Sequence, residues 1–327
     1  MTAGETPTLA IRGSGAIGMR HARVLRSLGA HVIVIPERPE RVAELEAAGF
    51  IAASPTAELP RLDGVVVCTR TAAHRVSATA VTVPVLVEKP LALNAYDGER
   101  LLEDAARAGQ SVHVGYCLRF NPGIRFVADR LASLGSIEAV DAECFSWLPA
   151  WRPDRDYRTI YSASPEEGGV LRDLSHEIDL LNHLVGPGRC AAAVVDGPQV
   201  LDLHPGVDES ATLVTDHGGV RGTIRLSFAR QPESRRLRVF GRHGCLEWDS
   251  ICRTARHLDT SGRVVESQSW GDPSEMYVAQ ARAWLGVLRG ESHGVLATAI
   301  DGLHALRIVD DARASGAAHA KGNPCLY

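Results

Sequence analysis

The chain has 327 residues, of which 45% are hydrophobic and 23% charged, with a formal net charge of −4. This is globular composition at a length that calls for two domains rather than one core. No Lys/Arg cluster stands out and no apolar run reaches the ~18 residues of a membrane span, so nucleic-acid and membrane partners are not expected.

The chain opens without a basic region followed by an apolar one. Its seven cysteines are odd in number and scattered, with no CxxC. Neither a secretory leader, a disulfide framework nor a zinc knuckle is expected, and a reducing cytoplasm is the expected setting.

The first third alternates short β-branched runs with helical patterns. Strands are predicted at Leu9–Arg12, His31–Ile35, Gly64–Cys68, Val83–Val87 and Ser111–Gly115. Helices are predicted at Ile17–Leu28, Pro39–Ala48, Ala73–Ala80 and Ala95–Ala108. Apolar strands alternating with helices predict a Rossmann doubly wound parallel sheet, covered on both faces.

Gly13-Ser14-Gly15-Ala16-Ile17-Gly18 is GxGxxG between the first strand and the first helix, the context that gives this motif meaning. Gly13 suits a tight turn and Gly15 a close approach to a pyrophosphate over the helix N-terminus. Gly18 suits close helix–strand packing. The second strand runs out into Glu37 and Arg38. An acid there accepts from a ribose hydroxyl and an Arg meets a 2′-phosphate, so NAD and NADP both stay open.

The pattern changes after Asn121-Pro122-Gly123, which places a domain boundary near residue 120. The expected division is 1–120 for dinucleotide binding and 121–327 for an α+β substrate domain. A helix at Ile124–Leu134 and a strand at Ile137–Phe145 precede a polar, aromatic stretch, Ser146–Glu167. Gly168–Gly186 reads as one helix with two faces. Leu171, Leu174, Ile178, Leu181 and Val185 lie on one side, and Asp173, His176, Asp179 and His183 on the other. Carboxylates and imidazoles are the groups that move protons near neutral pH.

Beyond Val194 come hairpin signals. Ala211–Thr215 and Val220–Phe228 flank Asp216-His217-Gly218-Gly219, and Leu237–Gly241 and Cys245–Asp249 flank Arg242-His243-Gly244. Consecutive hairpins predict an antiparallel sheet. Helices at Pro273–Leu288 and Ala297–Ala314 close the chain.

Four motifs stand in order: GxGxxG, Glu88-Lys89-Pro90, Gly115-Tyr116-x-x-Arg119-Phe120-Asn121-Pro122, and Gly168-Gly169-x-Leu171-x-Asp173 with His176-x-x-Asp179. Together they resemble the glucose–fructose oxidoreductase / inositol dehydrogenase (Gfo/Idh/MocA) family, over a little more than half the chain. The resemblance implies an NAD(P)-dependent oxidoreductase acting on a hydroxyl or keto carbon of a sugar, nucleotide sugar or cyclitol. It also implies a C-terminal domain with a large, mostly antiparallel open-faced sheet, and a homodimer or homotetramer formed through that sheet.

Carried over by position, the family's catalytic Lys, Asp and His fall on Lys89, Asp173 and His176. Asp173 and His176 are one residue closer than the family's DxGxH spacing. The resemblance adds Cys68, Thr69, His74, Glu88 and Lys89 to Gly13–Gly18, Glu37 and Arg38 on the cofactor side. Lys89, Tyr116, Arg119, Asn121, Arg152, Arg158, Tyr161, Asp173 and His176 are then the substrate-side residues. The arginines and tyrosines around Trp151–Tyr161 suit an anionic substrate group or a salt-bridged surface loop. His176 has a suitable intrinsic pKa for the acid/base, with Lys89 stabilising developing alkoxide charge. Two further readings are a cation held by His176, Asp179 and His183, and a catalytically inactive NAD(P)-binding regulator. No metal is expected, because no further ligand lies nearby in sequence.

Overall fold

The computed structural model describes residues 5–322, with side chains through residue 315. The chain divides into two compact units, residues 1–120 with 274–303, and residues 121–273 with 304 onward. The first four and last five residues of the two expected domains lie outside the described residues.

The first unit begins β1 (Thr8–Arg12), α1 (Ala16–Ser27), β2 (His31–Ile35), α2 (Arg41–Ala47), β3 (Ile51–Ala52) and β4 (Gly64–Val67). It continues with α3 (His74–Thr79), β5 (Val85–Val87), α4 (Ala95–Arg107) and β6 (Val112–Val114). The strands pair in parallel in the order β6-β5-β4-β1-β2-β3. β4 reads GVVV and is buried along its whole length, as a strand covered on both faces must be.

The second unit holds α5 (Pro122–Arg130), β7 (Ile137–Trp147), α6 (Val170–Asp173), α7 (His176–Val185), β8 (Arg189–Asp196), β9 (Ser210–His217) and β10 (Val220–Ser227). β11 (Ala229–Gly241), β12 (Gly244–Asp249), β13 (Thr254–Leu258) and β14 (Val264–Ser269) follow. They form one sheet in the order β14-β13-β12-β11-β7-β10-β9-β8, antiparallel except between β7 and β10. One face buries Val140, Ala142, Ile224, Leu226, Leu237 and Val239. The other carries ion pairs across strands, Arg225–Glu143 at 2.6 Å, Arg238–Glu247 at 3.1 Å and Arg256–Glu247 at 3.0 Å.

The chain then returns to the first unit with α8 (Glu275–Leu288) and β15 (Ala297–Thr298), which pairs antiparallel with β6. α9 (Ala299–Gly322) ends the described chain. Residues 274–303 therefore pack with the first unit, not with the 121–327 domain in which the sequence places them. The reason is hydrophobic. Ala281, Trp284, Leu285 and Leu296 complete the same core as Leu9, Ile11, Leu25 and Val34.

A second difference concerns Gly168–Gly186. It is two helices, α6 and α7, interrupted at Leu174 and Ser175. Leu174 has φ −95° and ψ 28°, outside the helical basin. Ser175 stands at the N-cap of α7, ahead of Glu177 and Asp179 in its first turn. Ser followed by acids is a helix-start signature that the apolar period of 3.6 overrides in a reading of sequence alone. The two-faced picture fails as well. Glu177, Asp179 and Asn182 are buried along with Ile178 and Leu181.

Candidate active site

The glycine turn of the first unit has the shape the motif requires. Gly13 has φ +102°, and a Cβ there would overlap the Cys68 carbonyl. A Cβ on Gly18 would overlap the Gly13 carbonyl. Gly15 is exposed and has nothing within 4 Å of the place its Cβ would take. The loop is thus closed on the protein side and open where a pyrophosphate approaches. The first turn of α1 carries no acidic residue to oppose an anion. Ser14 is buried, Ala16 is exposed and Ile17 is half-buried. Glu37 and Arg38 are exposed just beyond β2.

The ends of β4 and β5 carry the next group. His74 is 2% exposed. Its Nδ1 lies 3.0 Å from the Pro90 carbonyl and its Nε2 3.1 Å from the Thr69 carbonyl. Burial pushes its pKa down. The ring lies between the Thr69 loop and the Lys89-Pro90 turn, and in its neutral form donates to one of these two carbonyls at a time. Glu88 is also turned inward, 2.7 Å from His21 Nε2, and its other oxygen accepts the Lys89 amide at 3.2 Å. Lys89, half-buried, thus sits on a backbone held from two sides. Cys68 is buried, and burial raises its thiol pKa well above the usual value.

Three residues expected on the substrate side are buried. Tyr116 is 1% exposed. Arg119, 4% exposed, pairs with Asp301 at 3.5 Å. Asn121, 3% exposed, caps α5 by accepting from the Gly123 and Ile124 amides and also accepts from Trp248 Nε1 at 3.0 Å. Its carboxamide oxygen serves the second unit's own fold. The Trp151–Tyr161 stretch gives no shared arginine clamp. Arg158 is held by Asp156 at 2.7 Å and Asp202 at 2.8 Å, which raises its pKa. Arg152 is exposed, and Tyr161 is 38% exposed. The salt-bridged surface reading fits this loop.

In the second unit Asp173 and His176 are both half-buried. Asp173 accepts from the Ser162 hydroxyl. Between them, Ser175 is 1% exposed, and its hydroxyl has no hydrogen-bond partner among the described residues. Two carboxylates that the sequence did not single out hold the two helices. Asp208 accepts the Leu171 amide at 2.9 Å and pairs with Arg313. A Cβ on Gly169, at φ +93°, would strike the Asp208 carboxylate. Glu177, 1% exposed, pairs with Arg235 of β11 at 2.6 Å. Among the described residues no group of three or more His, Cys, Asp or Glu side chains has metal-binding geometry. No described helix is long and apolar enough to cross a membrane.

Family models match both units. Residues 8–116 match an oxidoreductase family model with an NAD-binding Rossmann fold, and residues 130–247 match the GFO/IDH/MocA C-terminal domain. Inositol 2-dehydrogenase of Cereibacter sphaeroides is 30% identical over 68% of this chain and 67% of its own length. The chain belongs to the Gfo/Idh/MocA family. It is an NAD-binding oxidoreductase of that family. Myo-inositol 2-dehydrogenase of Thermotoga maritima is 24% identical over 83% of this chain and 81% of its length. The crystal structure of the WlbA dehydrogenase from Bordetella pertussis, in complex with NADH and UDP-GlcNAcA, superposes with a TM-score of 0.80 at 19% identity. That match covers 98% of each chain, and the likeness is one of fold. The open glycine turn fits the dinucleotide such a family binds.

Proposed function

We propose that this Gfo/Idh/MocA member oxidises a secondary hydroxyl of a neutral cyclitol or sugar. NAD supplies the hydride acceptor. His176 takes the hydroxyl proton, and its half-buried position suits a group that exchanges protons with water. Lys89 stabilises the alkoxide charge as it develops, from a turn fixed by Glu88 and His74. Asp173, held by Ser162, orients the polar groups beside it. Gly13–Gly18 hold the pyrophosphate, with Glu37 at the adenosine ribose. His74 and Glu88 act through the backbone they tie down.

The observation that carries the choice of a neutral substrate is the capture of Arg158 by Asp156 and Asp202. An arginine already chelated by two carboxylates is poorly placed to clamp a phosphate or carboxylate. The inositol dehydrogenases similar to this chain support the same substrate class. The test is a panel of inositols, free sugars and nucleotide sugars with NAD, followed by nicotinamide absorbance. Turnover with inositols or simple sugars is expected. Turnover confined to nucleotide sugars overturns the neutral-substrate reading, and no turnover with any polyol overturns the reaction. We further propose that the charged face of the eight-stranded sheet joins copies of the chain into a dimer or tetramer. Light scattering at rising salt tests it, and a monomer at every salt concentration refutes it.

A further inference from the structure

A residue outside every motif holds the glycine loop. Arg41, the first residue of α2, donates from Nη1 to the Ser14 carbonyl at 2.8 Å and to the Ser14 hydroxyl at 2.9 Å. Its Nε and Nη2 donate to the Glu44 carboxylate at 3.1 Å and 2.9 Å. The guanidinium is a planar fork, so one edge is taken by the dinucleotide loop and the other by Glu44. Each partner stabilises the other's charge: Arg41 titrates above its usual value and Glu44 below. Glu44 is 65% exposed, so the pair adds little to stability. What it sets is the direction in which the arginine points.

That direction matters because of where the adenosine ribose lies in a Rossmann unit. It sits beside the glycine loop and the end of the second strand. A free 2′-hydroxyl there pairs with a carboxylate, and a 2′-phosphate needs an arginine. Arg41 is fastened to that loop. Its fork is committed to Glu44, which adds a like charge against any phosphate brought close.

We propose that Glu44, by holding Arg41 against Ser14, sets the preference of this protein for NAD over NADP. The inference rests on the dinucleotide site of the preceding section. Removing the Glu44 charge releases the Nε–Nη2 edge of the fork, which can then donate to a 2′-phosphate.

The experiment titrates NADH and NADPH separately into the full-length protein, following nicotinamide fluorescence with no substrate present. Wild type is expected to bind NADH about ten-fold or more tightly than NADPH. Glu44→Gln should narrow that ratio about ten-fold by gaining NADPH affinity, the size of one charge-assisted hydrogen bond. Adding Arg41→Ala to Glu44→Gln should remove the gain. A ratio unchanged in Glu44→Gln, or a gain that survives Arg41→Ala, overturns the inference. Wild type that binds neither nucleotide overturns the dinucleotide site itself, which is a separate result.

Discussion

His176 carries the most direct test of the proposed chemistry. His176→Ala should lower turnover by about 10²–10⁴-fold, the usual worth of a general base, while NADH affinity stays within a few-fold. Turnover near wild type removes His176 from the mechanism. His113 of β6 tests a different property of one residue. It is 5% exposed, with the edge of Trp284 at 5.9 Å between ring centroids. Burial pushes its pKa from 6.5 down to about 4, His293 pushes the same way, and Asp301 opposes. Above pH 6.5 the ring is neutral in both folded and unfolded chains. Between pH 6.5 and 4 the unfolded chain takes up a proton that the folded one refuses. Stability therefore falls as pH falls through that window, by at most about 1.4 kcal/mol per pH unit. Urea unfolding at pH 7 and pH 5 should show a smaller loss in His113→Gln than in wild type. Equal losses discount the residue.

At the scale of the element, two glycines at the start of α1 stand in opposite surroundings. Gly15 faces open space at φ −69°, whereas Gly18 lies against the Gly13 carbonyl. Gly15→Ala should leave the melting temperature nearly unchanged and abolish NADH binding, because only the bound pyrophosphate meets the new methyl group. Gly18→Ala should lower the melting temperature itself. Normal NADH affinity in Gly15→Ala removes the pyrophosphate from this loop. Gly169, at the start of α6, combines a left-handed φ with close contact to Asp208. Gly169→Ala should cost about 1–3 kcal/mol in denaturant unfolding.

The elements differ in how plainly the sequence announces them. Strands β1, β2 and β4 stand out because continuous β-branched runs serve a sheet buried on both sides. The GxGxxG turn is legible because Gly13 and Gly18 leave no room for a side chain. The interruption at Leu174–Ser175 stays hidden, since Leu171, Leu174, Ile178 and Leu181 keep an apolar helical period running straight through it. β13 and β14 escape the sequence reading for a related reason. β14 reads VVESQS and is exposed almost throughout, so it has no alternation to show.

The whole molecule decides what completes each core. Trp284 is fully buried, in the same cluster as Leu9, Ile11 and Val34, yet it lies far along the chain from them. Trp284→Ala should cost about 3–5 kcal/mol and lower the melting temperature, read by calorimetry on the full chain. Residues 1–120 produced alone should fail to give a sharp amide spectrum, and joining residues 274–303 should restore one. A folded 1–120 fragment would show that the returning segment is dispensable.

Local chemistry made the strands of the parallel sheet and the glycine turn readable in the sequence by itself, and short motifs carried the family resemblance that nominates Lys89 and His176. Each depends on residues a few positions apart. Tertiary structure alone decided that β7 pairs in parallel with β10, that α8 returns to the first core, and that Arg119 and Asn121 are buried against Asp301 and Trp248. It also decided that Asp202 closes on Arg158 and that Asp208 and Arg313 hold the start of α6. These facts depend on partners distant in sequence. Burial and charge pairing act on what is near in space, and no local pattern records that nearness.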